Sequence, residues 1–140
     1  MGRRLQTYAS DTITVTYDPT RCMHAAECVR GLPTVFDTSR TRWIQPQHAD
    51  AAAVADVVRR CPSGALQFAR ADGEVEGVEH PPHVHLTRGG PLYVRGNITL
   101  TAADDRVFAT GTRMALCRCG ASQQKPFCDG SHRTSGFSGE

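Results

Sequence analysis

The sequence predicts an α+β protein of two small units, a β-α-α-β unit followed by a mainly β one. Three observations predict it: a β-branched alternating stretch near the N-terminus, an alanine-rich stretch with helical periodicity, and six cysteines in two groups separated by a cysteine-free run from residue 62 to 116. Thr12-Ile13-Thr14-Val15-Thr16-Tyr17 alternates in the manner of a strand, and Asp18-Pro19-Thr20 ends it with turn chemistry. Asp50 is placed to cap a helix over Ala51 to Arg60, which puts Val54, Val57, Val58 and Cys61 on one face. Pro62-Ser63-Gly64 breaks that helix, and Ala65 to Ala69 is expected to return as a strand antiparallel to the first.

From Arg70 to Pro91 the chain is rich in Gly, Pro, Glu and His, which suits a linker or an extended arm. The expected organisation is a first domain over 10–70, a linker over 71–89 and a second domain over 90–140. In the second domain, Pro91 to Leu100 reads as two short strands meeting at Gly96-Asn97, with a third over Val107 to Ala109.

With 39% apolar and 21% charged residues the chain reads as globular, and no apolar run approaches the roughly 18 residues of a membrane span. Met1 to Gln6 is basic but is followed by polar Ser10, Asp11 and Thr12, so no secretory leader is expected and the cytoplasm is the expected location. In a reducing compartment, clustered cysteines point to metal or redox chemistry rather than to disulfides.

Four soft or borderline donors, Cys117, Cys119, Cys128 and His132, lie close together near the C-terminus. Thiolate and imidazole select zinc or iron-sulfur over magnesium or calcium, and a C-x-C pair followed by Cys-x3-His is atypical for zinc. The run Cys117-Arg118-Cys119-Gly120-Ala121-Ser122-Gln123-Gln124-Lys125-Pro126-Phe127-Cys128-Asp129-Gly130-Ser131-His132 resembles the CDGSH domain of mitoNEET-like proteins at every defined position. Gly90 to Gly96 and Thr112 to Leu116 are similar to the strands that frame the cluster in bacterial members. The resemblance implies a 2Fe-2S cluster, with Cys117 and Cys119 on an inner iron and Cys128 and His132 on an outer, more exposed one. Gly130 permits a tight turn, and Asp129 and Ser131 can hydrogen-bond the loop. A single imidazole should raise the reduction potential above that of an all-cysteine cluster, and its second nitrogen should couple reduction to proton uptake.

Cys22-Met23-His24-Ala25-Ala26-Glu27-Cys28, with Cys61-Pro62 far downstream, repeats the outline C-x2-C-x2-C with a remote C-P, but its central cysteine is replaced by Ala25. The segment from Tyr17 to Phe68 resembles divergent single-cluster bacterial ferredoxins. Three thiolates, Cys22, Cys28 and Cys61, make a 3Fe-4S cluster the simplest outcome, the alternative being 4Fe-4S with a non-cysteine fourth ligand. His24 lies one residue before the empty corner and is expected beside the cluster or at the surface rather than as a ligand.

Other residues take plainer readings. His80, His83 and His85 are expected as surface histidines of the linker, and Trp43, Phe36 and Phe68 as core residues that keep water from the first cluster. Arg113, Arg118, Lys125 and Arg133 flank the second site, where basic residues can steer an acidic partner but are more often solvated surface. The formal charge of +2 treats the cysteines as neutral, and thiolate-bound clusters bring the loaded chain to about minus one. That argues against a nucleic-acid partner, and no catalytic triad, phosphate loop or acid pair points to an enzyme. The leading expectation is a single-electron carrier between a reductase and an acceptor. The alternatives are a cluster donor or redox and pH sensor acting on an apo-acceptor, and a zinc-stabilised interaction module. The resemblance also points to a homodimer paired through the β region.

Overall fold

The computed structural model describes residues 5–140, so the basic stretch Met1 to Arg4 lies outside the described residues. The α+β class holds, as two separate three-stranded antiparallel sheets with short helices. The chain divides into two compact units. The first takes in residues up to Thr20 with His24–Cys61 and Ala65–Glu76, and the second takes in Arg21–Met23, Pro62–Gly64 and Gly77–Glu140.

The first unit runs β1 (Gln6–Ala9), β2 (Ile13–Tyr17), α1 (Glu27–Gly31), α2 (Ala51–Arg59) and β3 (Leu66–Arg70), with a 3-10 turn at Pro46–His48 before α2. Its sheet order is β1-β2-β3, and β2 pairs with the returning β3 from Ile13↔Arg70 to Tyr17↔Leu66. Strand β1 was not expected: its four residues show no apolar alternation, and only Tyr8 is buried. Asp50 caps α2 by accepting from the Ala53 amide at 2.8 Å, and Val54, Val57 and Val58 are buried with Phe36, Ile44, Val15 and Leu66 in one core. Trp43 and Phe68 pack on that core from partly buried positions. Trp43 stands edge-on to Tyr17 at 5.0 Å between centroids, an orientation that aromatic quadrupoles favour.

The second unit holds β4 (His83–Leu86), β5 (Leu92–Thr101) and β6 (Val107–Leu116) in that spatial order, antiparallel throughout. Two expectations change here. The stretch read as two strands meeting at Gly96-Asn97 is one strand with an irregularity between Arg95 and Ile98. Gly96, at φ 130°, absorbs it; a Cβ there would stand 2.7 Å from Pro82 Cβ, so the approach of the preceding arm requires glycine. The 71–89 stretch read as linker carries β4, which pairs with β5 although all four of its residues are exposed. His83-Val84-His85-Leu86 alternates for only four residues, none of them buried, within a stretch rich in Pro and His, so the period-2 signal is too short to mark a strand. Met114, Phe127 and Ala109 form the core, with Val94, Ile98, Leu100 and Leu116 around them.

Candidate metal centres

The second unit gathers its four candidate donors by strand pairing. Strand β6 ends at Leu116, so Cys117 stands at the rim of the sheet. The chain turns through Ser122 to Lys125 and comes back along β6: Cys117 N donates to Pro126 O and Cys128 N to Ala115 O, both at 2.8 Å, and Leu116 bridges Phe127. Buried Ser122 fixes the turn, donating from Oγ to Phe127 O at 2.6 Å and accepting from the Gln124 amide at 3.0 Å. Beyond Cys128, Gly130 adopts φ 91° and opens a 3-10 turn over Ser131–Arg133. Asp129 ties this loop: its Oδ1 accepts from the Ser131 amide and hydroxyl at 3.0 and 2.6 Å, and its Oδ2 from the Gln123 amide at 2.9 Å. Burial opposes ionisation of Asp129, but the Ser131 and Gln123 hydrogen bonds outweigh it and hold its carboxyl below the ordinary value.

The donors fall into two pairs. Cys117 Sγ and Cys119 Sγ are 3.9 Å apart, and Cys128 Sγ and His132 Nδ1 are 3.4 Å apart. Metal–thiolate bonds of about 2.3 Å and metal–imidazole bonds of about 2.1 Å at tetrahedral angles give edges of about 3.8 Å and about 3.6 Å. Each pair is therefore spaced as two ligands of one tetrahedral metal would be. Among the described residues, no group of three or more His, Cys, Asp or Glu side chains is arranged around a single ion.

Amides face the sulfurs: Ala121 N donates to Cys119 Sγ and Gly130 N to Cys128 Sγ, each at 3.4 Å. Burial raises the Cys117 thiol, but amide hydrogen bonds from Ser122 and Gly120 and its contact with Cys119 bring the net shift down. The Cys128 thiol is pushed up, chiefly by burial, with the Gly130 amide opposing. Burial, then the neighbouring Arg133 charge, lower His132 and favour the neutral imidazole that a metal needs. Cys128 is the buried donor, 3% exposed, its amide drawn into the β6 pairing. The other three donors are half-buried.

The flanking basic residues do not act alike. Arg113 is buried and Lys125 exposed. Arg118, between the first two cysteines, donates to Gly90 O at 3.2 Å, Thr87 O at 3.3 Å and Gly139 O at 3.2 Å and lies over the Phe137 ring, so it clamps the C-terminal segment. Sequence reasoning missed that role, because its acceptors lie 21 to 31 residues away.

Of the other predicted ligands, Cys22 lies in the second unit and Cys28 and Cys61 in the first. All three are half-buried and free of disulfides. Cys28 sits in the first turn of α1, and Cys61 follows α2, its amide donating to Val58 O at 3.0 Å. Before Cys28 the backbone is left-handed at two non-glycine residues, His24 (φ 59°) and Ala26 (φ 64°), flanking Ala25. Such conformations cost about 1 kcal/mol each for residues with a Cβ and gather at functional loops. Cysteine thiolate, the donor all three supply, is the ligand type that suits iron-sulfur chemistry. His83 and His85 lie exposed on β4, His83 Nδ1 being 3.1 Å from Pro81 O.

Comparison with known proteins bears on both sites. The family model described as a divergent 4Fe-4S mono-cluster matches residues 8–71, and the one described as an iron-binding zinc finger of CDGSH type matches residues 89–133. The uncharacterized protein YjdI of Escherichia coli K12 is 39% identical over 61 residues, covering 44% of this chain and 80% of that protein. The YjdI of Escherichia coli O157:H7 matches to the same extent. No solved structure matches. The chain belongs to the divergent 4Fe-4S mono-cluster family, here fused to an iron-binding CDGSH domain.

Proposed function

We propose that this chain is a two-cluster iron-sulfur protein that carries single electrons between a reductase and an acceptor in the cytoplasm, rather than an enzyme. The observation that carries the reading is the division of Cys117, Cys119, Cys128 and His132 into two pairs, each of one-metal span, as a two-iron cluster requires. A 2Fe-2S cluster held there supplies one-electron uptake and release. The chain's own part is to tune it. Amides of Ala121 and Gly130 aimed at sulfur stabilise negative charge and so favour the reduced form. Neutral His132 removes one negative charge relative to a thiolate, with the same sign of effect.

Cys22, Cys28 and Cys61 are the proposed ligands of the other cluster, in a ferredoxin-like domain. The 3Fe-4S expectation draws no support from the family description, which names four irons. The reading that agrees with it is 4Fe-4S with a non-cysteine fourth ligand. The left-handed turn around Ala25 supports a cluster loop at this place. A homodimer also belongs to the proposal, supported by Val84 and Leu86, exposed on edge strand β4.

Electron paramagnetic resonance of anaerobically purified protein before and after dithionite, with iron and sulfide counted per chain, tests the reading. Two reducible clusters are expected. A colourless, zinc-containing protein would overturn it, and a paramagnetic three-iron signal in the isolated state would restore 3Fe-4S. A second reading, cluster donation, is favoured by the single imidazole at the Cys128 pair, where protonation of that one ligand would open a position for an acceptor's ligand. Transfer to an apo-acceptor that is unchanged in His132→Cys would remove it.

A further inference from the structure

Cys22 sits between two residues anchored in the second unit. After it, Met23 is buried at 3% exposure; its carbonyl accepts from Arg133 Nη1 at 2.9 Å, and Tyr93 OH donates to its Sδ at 3.5 Å. Before it, Arg21 Nη1 donates to Thr110 O at 3.2 Å, and its guanidinium lies 5.1 Å from the Phe127 ring centroid. Arg21–Met23 belongs to the same compact unit as Cys117, Cys119, Cys128 and His132. It lies outside residues 89–133, over which the CDGSH family matches.

Gly130 shows how closely the turn approaches this segment. A Cβ there would stand 2.3 Å from Arg133 Nη1 and 2.9 Å from Met23 O. The glycine thus serves the turn, at φ 91°, and also leaves room for Arg133 to reach Met23. Arg133 in turn follows His132 directly and closes the same turn, its amide donating to Gly130 O at 3.0 Å.

We infer that Arg133 is a positioning residue that couples Cys22 to His132. The arginine after one proposed ligand holds the carbonyl after the other, so displacement of the Cys22 segment shifts the turn that presents His132. By linkage, whatever fixes Cys22 favours retention of the group bound at His132, and the reverse. The inference rests on the ligand assignments above and deepens them.

A double-substitution cycle in the full chain tests it, reading the half-life of the histidine-ligated cluster's visible absorption under excess iron chelator. Arg133→Ala is expected to shorten that half-life about tenfold, the usual scale for losing a residue that orients a ligand. Cys22→Ala should shorten it too, although that residue is not a ligand of this cluster. In the Arg133→Ala background Cys22→Ala should add nothing. Arg133→Lys, which keeps a cationic donor, should recover part of the half-life and with it the sensitivity to Cys22→Ala. Additive losses, or indifference to Cys22→Ala in the wild-type background, overturn the coupling and leave the functional reading standing. A wild-type chain without the absorption band overturns both. Faster amide exchange at Gly130 to Arg133 in metal-free Arg133→Ala is a further expected result, and unchanged exchange there would also overturn the coupling.

Discussion

The two segments proposed to hold clusters are built in opposite ways. Cys117, Cys119, Cys128 and His132 are local: a strand end, a tight turn and a returning bridge bring them together, with backbone bonds at Cys117 and Cys128 fixing the spacing. Cys22, Cys28 and Cys61 are dispersed over the segment before a left-handed turn, a helix start and the stretch just after a helix, and Cys22 belongs to the second unit, the other two to the first. A local site is specified by few residues and tolerates little change among them. A dispersed site depends on everything that positions its parts.

The largest effect is expected at the local site. Cys128→Ser should abolish the histidine-ligated cluster, seen as loss of its absorption and of its iron per chain. If the two sites differ as described, signals from the other cluster should persist. Loss of both would merge the two regions into one cooperative site.

His132→Cys should give a smaller, sharper change. The cluster is retained, and its reduction potential falls by on the order of 100 mV, because a thiolate adds negative charge where an imidazole had none. Potentiometric titration of the second cluster checks this. An unchanged potential would mean that His132 is not a ligand.

The smallest effect is expected from Asp50→Ala. It removes the acceptor for the Ala53 amide at the start of α2, at a cost of about 1 kcal/mol. Thermal unfolding should show the loss, and retention of the Cys61 site should weaken because that helix ends beside Cys61. The second cluster's absorption and potential should stay as in wild type.

Much of this could be read without coordinates. Strand β2 and helix α2 follow from alternation and from periodicity with a cap, and the positions of six cysteines implied two sites. These are local properties, set by neighbours within a few residues. Strands β1 and β4 could not be read: β1 shows no apolar alternation, β4 alternates for only four residues inside a stretch rich in Pro and His, and the pairing of both depends on a partner strand elsewhere in the chain. Two strands meeting at Gly96-Asn97 and one strand bulged there are equally compatible with the sequence: glycine permits either, and the close approach of Pro82 decides.

The sequence by itself determined the donor chemistry, because three thiolates and an imidazole at fixed short spacing disfavour oxygen-loving metals whatever the fold. Only the tertiary structure decided what the arginines do. Arg118 and Arg133 look alike as flanking cations, yet one clamps the C-terminal segment and the other reaches Met23. A guanidinium's partner is whichever carbonyl the fold brings within reach, and Met23 lies 110 residues from Arg133 along the chain.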